Sequence, residues 1–153
     1  AANPFFACGS LQPAAPEGRP VEYVTAARLE ELEREVARVL HRLIRDELVP
    51  AEHVAVLTGR PASFLGRSGR IGAFECARAV ERGKVVLSSV ADFKGLESRV
   101  SVLTDLEEAL DEPELLYVAL TRARAHLVIV ATGEAIASLR ARRPGELVCR
   151  ACT

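Results

Sequence analysis

Two stretches of the chain, Ser88 to Glu97 and Leu115 to Val130, set polar groups inside apolar frames in a way that packing alone does not require. Ser88-Ser89 offers two small hydroxyls at the end of an apolar run. Such hydroxyls, with backbone N–H groups, are common donors to the phosphates of a nucleic-acid backbone. Lys94-Gly95-Leu96-Glu97 adds a cation, a carboxylate and a glycine that lets the backbone turn tightly or approach a ligand closely. Glu97 is suited either to accept from a ribose hydroxyl or to pair with a nearby arginine. Thr121-Arg122-Ala123-Arg124 carries two guanidinium groups, which stay charged and fork onto phosphate oxygens. Arg124, placed near the end of an expected helix, is accounted for by the favourable field at a helix C-terminus. Arg122 has no such account. An arginine held rigidly at an interface can stabilise a transferring phosphoryl group, where it contributes about 10³–10⁵ in rate.

These residues need elements to position them. Val21-Glu22-Tyr23-Val24 suits a short strand. Thr25 is then expected to cap a helix running to about Leu48, because Leu29, Leu32, Val36, Val39, Leu40, Leu43 and Ile44 recur at three- and four-residue steps. His53–Thr58, Lys84–Val90, Arg99–Leu106 and His126–Ala131 are apolar runs of strand length, read as buried parallel strands. Asp111 and Pro113 open a helix that carries the Thr121–Arg124 segment. Thr132 caps a last helix to about Arg142, closed by Pro144 and Gly145. Residues 59–83, broken by glycines and dotted with Arg60, Arg67, Arg70, Arg78 and Arg82, read as a surface loop with a solvated face, or as a path for nucleic acid. Within it, Gly66-Arg67-Ser68-Gly69 lacks the lysine and hydroxyl of a phosphate-binding loop. The alternation of strands and helices predicts an α/β domain with a mainly parallel sheet and helices on both faces. Ligands on such sheets sit at the C-terminal ends of strands.

Composition sets the outer bounds. The chain has 153 residues, 49% hydrophobic and 27% charged, with a formal net charge of -1. Those values describe a globular protein and exclude a wholly basic chain, though a local basic patch remains compatible with nucleic-acid binding. Lys84 and Lys94 are the only lysines. No apolar run approaches the ~18 residues needed to span a bilayer, so no membrane partner is expected. The start, Ala-Ala-Asn-Pro-Phe-Phe, lacks the pattern of a signal peptide. The absence of any Met fits a trimmed initiator or a domain excised from a longer chain. Residues 1–20, rich in Pro and Gly, form an expected irregular arm; 21–145 form the domain and 146–153 a tail. Cys8, Cys76, Cys149 and Cys152 read as reduced thiols of a cytoplasmic protein. Cys149-x-x-Cys152 has the spacing of half a zinc site, whose other ligands would lie outside this chain.

Together the two stretches resemble a known family. Ser89-Val90-Ala91-Asp92-Phe93-Lys94-Gly95-Leu96-Glu97 and the strand after it look like motif V of superfamily 1 DNA helicases of the UvrD/Rep/PcrA type. Leu116-Tyr117-Val118-Ala119-Leu120-Thr121-Arg122-Ala123-Arg124 looks like motif VI of the same family. The close match spans about residues 84–131. It implies a RecA-like (P-loop NTPase-type) domain, the second of two in the motor. By the resemblance, Arg122 would be an arginine finger on the γ-phosphate of ATP, Glu97 would contact the nucleotide ribose, and Gly95 would lie at the nucleotide. Ser88, Ser89 and Lys94 would contact DNA, as single strand or duplex. ATP and Mg²⁺ would be held mainly by the first RecA-like domain, the expected partner of this one.

The departures from the pattern are informative. Ala91 stands where the family has a DNA-contacting His, and Ser89 stands where it has Thr. No Walker A lysine loop and no Walker B Asp-Glu pair is present. The expectation is therefore a C-terminal motor-domain piece of an ATP-dependent DNA helicase, inactive alone, in a repair or recombination setting that the family suggests. The alternative is a stand-alone nucleic-acid- or protein-binding module that kept the fold without ATPase activity. A third option, an unrelated doubly wound enzyme, lacks a nucleophile–base pair or metal cluster to support it.

Overall fold

Runs of β-branched residues that are apolar on both sides have to be covered on both sides, and the chain does this with one sheet between two helical layers. The computed structural model describes residues 19–93 and 95–142. Lys94, the arm before Arg19, the tail, Cys8, Cys149 and Cys152 lie outside the described residues. The strands are β1 (Glu22–Ala26), β2 (Val54–Thr58), β3 (Arg70–Ile71), β4 (Phe74–Ala77), β5 (Val85–Ser89), β6 (Ser98–Thr104) and β7 (Ala123–Thr132). The α-helices are α1 (Leu32–His41), α2 (Pro113–Leu120) and α3 (Gly133–Ala141). The sheet order is β1-β7-β6-β2-β5-β4-β3, and every pairing is parallel except the β3–β4 hairpin. On one face α1 buries Leu32, Val36, Val39 and Leu40 against Val54, Val56, Val102, Val128 and Val130. On the other, α2 and α3 bury Leu116, Leu120, Ile136 and Leu139 against Leu57, Leu103, Leu127 and Ile129. The α/β class and the helices on both faces are those the sequence predicts.

Several boundaries differ from the expectation, each for a tertiary reason. Thr25 caps no helix; its backbone pairs with Ala131 in the β1–β7 ladder, and α1 starts after a 3₁₀ turn at Leu29–Glu31. A π-helical turn, Arg42–Asp46, continues α1. The loop 59–83 is not wholly surface. It holds β3 and β4 and buries Leu65, Ile71 and Phe74 in the core under α1. Gly72 makes the hairpin turn with φ 58°, and a Cβ there would meet that of Ala37 at 2.9 Å, so the hairpin presses closely on α1. Thr132 does cap α3, accepting from the Ala135 N–H. Among the described residues no helix is long and apolar enough to cross a membrane.

A polar cluster joins β1, β7 and the end of α1. His126, only 6% exposed, sets Nε2 3.3 Å from a Glu22 carboxylate oxygen. Arg42 donates to both Glu22 (2.6 Å) and Glu47 (3.1 Å), and Arg19 also pairs with Glu47. Burial lowers the His126 pKa from its ordinary value of 6.5; Glu22 and Glu47 raise it, and Arg19 and Arg42 lower it, without reversing the direction. A group harder to protonate when folded costs stability on the acid side, because the unfolded chain takes up the proton first. Stability should therefore be full above about pH 6.5 and fall as pH drops through the depressed folded value. His126→Gln, which keeps a donor for Glu22, should flatten that part of the pH profile in urea denaturation between pH 5 and pH 8.

Candidate functional site

The chain leaves β5 at Ser89 and must enter β6 at Ser98 running in the same direction, since both strands are parallel to β2. Ser89 is level with Thr58 and Thr104, so the return covers six residues of strand, about 20 Å. The intervening residues 90–97, wound as helix, would span only about 12 Å. They form turns instead, anchored by Val90 and Phe93, which are buried on the α2–α3 face. Phe93 N–H donates to Ser89 O, and Leu96 N–H to Phe93 O. Gly95 allows the tight passage at φ 85°. This one segment therefore runs from the C-terminal edge of the sheet to its N-terminal edge.

At the N-terminal edge it meets the second stretch. α2 ends at Leu120, where the Thr121 hydroxyl turns back to the carbonyls of Tyr117 (3.1 Å) and Val118 (2.9 Å). Arg122 lies in the turn after the helix, and Ala123 already starts β7, opposite Ser98. Arg122 Nη1 donates to Leu96 O at 3.0 Å, and Ser98 N–H donates to Arg122 O at 3.0 Å. These reciprocal bonds lock the 95–98 turn to Arg122. Arg122 Nε is buried without a partner. Glu97, between the two residues that bond Arg122, is exposed, with Oε2 3.6 Å from Arg124 Nε. Of the two roles open to Glu97, pairing with an arginine is the one seen, and a pair this exposed contributes little. Arg124 stands on β7 and not near a helix end, because the ladder with β6 begins at Ala123. Leu96 is 56% exposed on this rim.

At the C-terminal edge lie Ser88 and Ser89, about a strand length from Arg122. Ser89 Oγ donates to Asp92 Oδ2 (2.8 Å) and accepts from the Asp92 N–H (3.1 Å). Ser88 Oγ donates to Ser89 O at 3.2 Å. Both hydroxyls are thus engaged within the chain. They line a cleft of about 550 Å³ with Thr58, Ser63, Arg67 and Arg78. Cys76 also lines it, and burial pushes its thiol pKa up. Ala91, exposed, sits just beyond. The rule that ligands gather at C-terminal strand ends therefore covers Ser88 and Ser89 but not Arg122, Gly95 and Glu97.

One further cluster escaped sequence reasoning. Asp105, buried and at φ 54°, accepts from Arg60 Nε (2.8 Å) and Ser63 Oγ (2.6 Å) where β2 and β6 end side by side. The contact raises the Arg60 pKa further above its ordinary value. No local spacing signals it, because the partners are 45 residues apart. Among the described residues no group of three or more His, Cys, Asp or Glu is placed to hold a metal ion.

No protein-family model and no curated protein matches the chain. Among solved structures it is similar to the C-terminal domain of a possible DNA helicase from Lactobacillus plantarum WCFS1. The TM-score is 0.57 and the identity 21%, with 76% of each chain covered. The likeness is one of fold, and it agrees with the RecA-like α/β class that the two motifs imply.

Two outcomes are expected in urea denaturation. Gly95→Ala, with nothing within 4 Å of the added Cβ, should cost about 1 kcal/mol from backbone strain alone. Arg60→Ala, which leaves the buried Asp105 carboxylate without its cation, should cost roughly 2–3 kcal/mol; Arg60 is one-third exposed, which holds the loss below that of a fully buried pair.

Proposed function

We propose that this chain is the second motor domain of an ATP-dependent DNA helicase of the UvrD/Rep/PcrA type. The observation that carries the reading is Arg122: a guanidinium held at the sheet rim by Leu96 O, with Nε unpartnered, and bonded to the turn that carries Glu97, whose exposed carboxylate pairs with Arg124. A cation fixed at the rim by its bond to Leu96 O fits an anionic group brought there from outside. The RecA-like fold and the order of the two motifs support the same assignment.

In this reading a first RecA-like domain docks on the N-terminal edge and brings ATP with Mg²⁺. When bound, the nucleotide would supply the transferable phosphoryl group and the metal would neutralise its charge. Arg122 would stabilise the charge that develops on the γ-phosphate, a contribution that needs orientation more than covalent chemistry. The bonds at Leu96 and Ser98 would give that orientation. Glu97 would accept from the ribose hydroxyls, releasing its exposed partner Arg124 at little cost. Gly95 would let the backbone come close. Ser88 and Ser89 would face DNA at the other edge, Lys94 would add a contact to DNA by the motif resemblance, and the 90–97 segment would connect the two. Ala91 in place of the family's His removes one DNA contact and favours the second reading, a binding module without ATPase activity.

The two readings separate on turnover. In the full gene product, Arg122→Ala should lower DNA-stimulated ATP hydrolysis by about 10³–10⁵ while leaving thermal unfolding within a few degrees of wild type. Turnover unchanged in that variant would sink the motor reading.

A further inference from the structure

The hydroxyls at the C-terminal edge are bonded within the chain, yet the cleft they line holds two donors that are not. Arg67 and Arg78 both line the cleft, both are exposed, and neither has an ion pair or hydrogen bond. Two other arginines of the 59–83 segment are engaged: Arg60 by Asp105, and Arg70 by Glu75 and Ala73 O. Arg67 rides the turn Gly66–Gly69, closed by Gly69 N–H to Gly66 O at 2.8 Å. Gly69 O in turn accepts from Cys76 N–H at 2.9 Å, two residues before Arg78. The turn and the end of β4 thus form one frame that sets Arg67 and Arg78 at the cleft beside the ends of β2 and β5. Asp92 is the only acidic residue among the described lining residues, and its carboxylate accepts from Ser89. No described lining residue is aromatic, so the cleft offers no stacking platform for bases.

We propose that this cleft binds the phosphate backbone of a single nucleic-acid strand through Arg67 and Arg78, residues outside both motifs. The proposal rests on the nucleic-acid part of the function proposed above and assigns it a place and its charged donors. Two guanidinium forks without an aromatic surface recognise phosphodiester oxygens and not base identity. Binding is therefore independent of sequence and steeply dependent on salt.

Fluorescence anisotropy of a labelled sixteen-nucleotide oligo-dT with the 153-residue chain tests this. Arg67→Ala and Arg78→Ala should each weaken binding roughly five- to tenfold at 50 mM salt and lower the slope of log K against log salt by about 0.7. Arg82→Ala, outside the cleft lining, should bind as wild type does. Asp92→Asn should bind more tightly, a gain that misfolding cannot produce. Oligonucleotide binding that is unchanged in both cleft variants would overturn the proposal and leave the motor reading standing. No binding by the wild-type chain at low salt would overturn both. Displacement of the oligonucleotide by inorganic phosphate at matched ionic strength would mark a free-anion site and overturn the strand proposal.

Discussion

β5 and β6 are parallel with β2 between them, so the chain must travel the length of the sheet between one strand's end and the other's start. The segment that does so is too short to be helical. It crosses as turns pinned by Val90 and Phe93, and the rest of the candidate machinery follows from that passage. Its first end fixes Ser88, Ser89 and Asp92 at one edge. Its last end fixes Leu96 and Ser98 at the other, where they take hold of Arg122 from both sides. A helix in this position would have decoupled the edges with an independently stable element. A tight crossover makes the two ends parts of one structural unit.

The polar groups divide by whether their hydrogen bonds are met inside the chain. Ser89, Ser88, Ser63 and Arg60 are satisfied locally and give shape to the C-terminal edge. Arg67 and Arg78 are not, and Arg122 keeps one buried donor without a partner. Buried polar atoms without partners are uncommon, because their desolvation is not offset; Thr104 Oγ1, Glu107 Oε2 and His126 Nδ1 are the other such side-chain atoms among the described residues.

Much of this was legible in the chain. The apolar runs from His53 to Thr58 and from Lys84 to Val90 have no polar side to show water, so they had to be central strands under helices on both sides. The stripe from Leu32 to Leu43 could only be a helix. The motif residues from Ser89 to Glu97 and from Leu116 to Arg124 stood out because their polar members serve no packing purpose. The hairpin β3–β4 was hidden: Arg70-Ile71 and Phe74–Ala77 are too short and too rich in neighbouring glycine to signal strands, and Ile71-Gly72-Ala73-Phe74 was the one local cue.

The sequence by itself determined the class of fold, the strands of its centre and the residue types at the site, because these depend on hydrophobic periodicity and on local chemistry. Only the tertiary structure decided which edge each residue occupies, since parallel pairing couples residues far apart in the chain. It also decided that Arg124 joins a strand, that Arg60 is bound to Asp105, and that Arg67 and Arg78 are left free. Hydrogen-bond satisfaction is a property of neighbours in space, and spacing along the chain does not encode it.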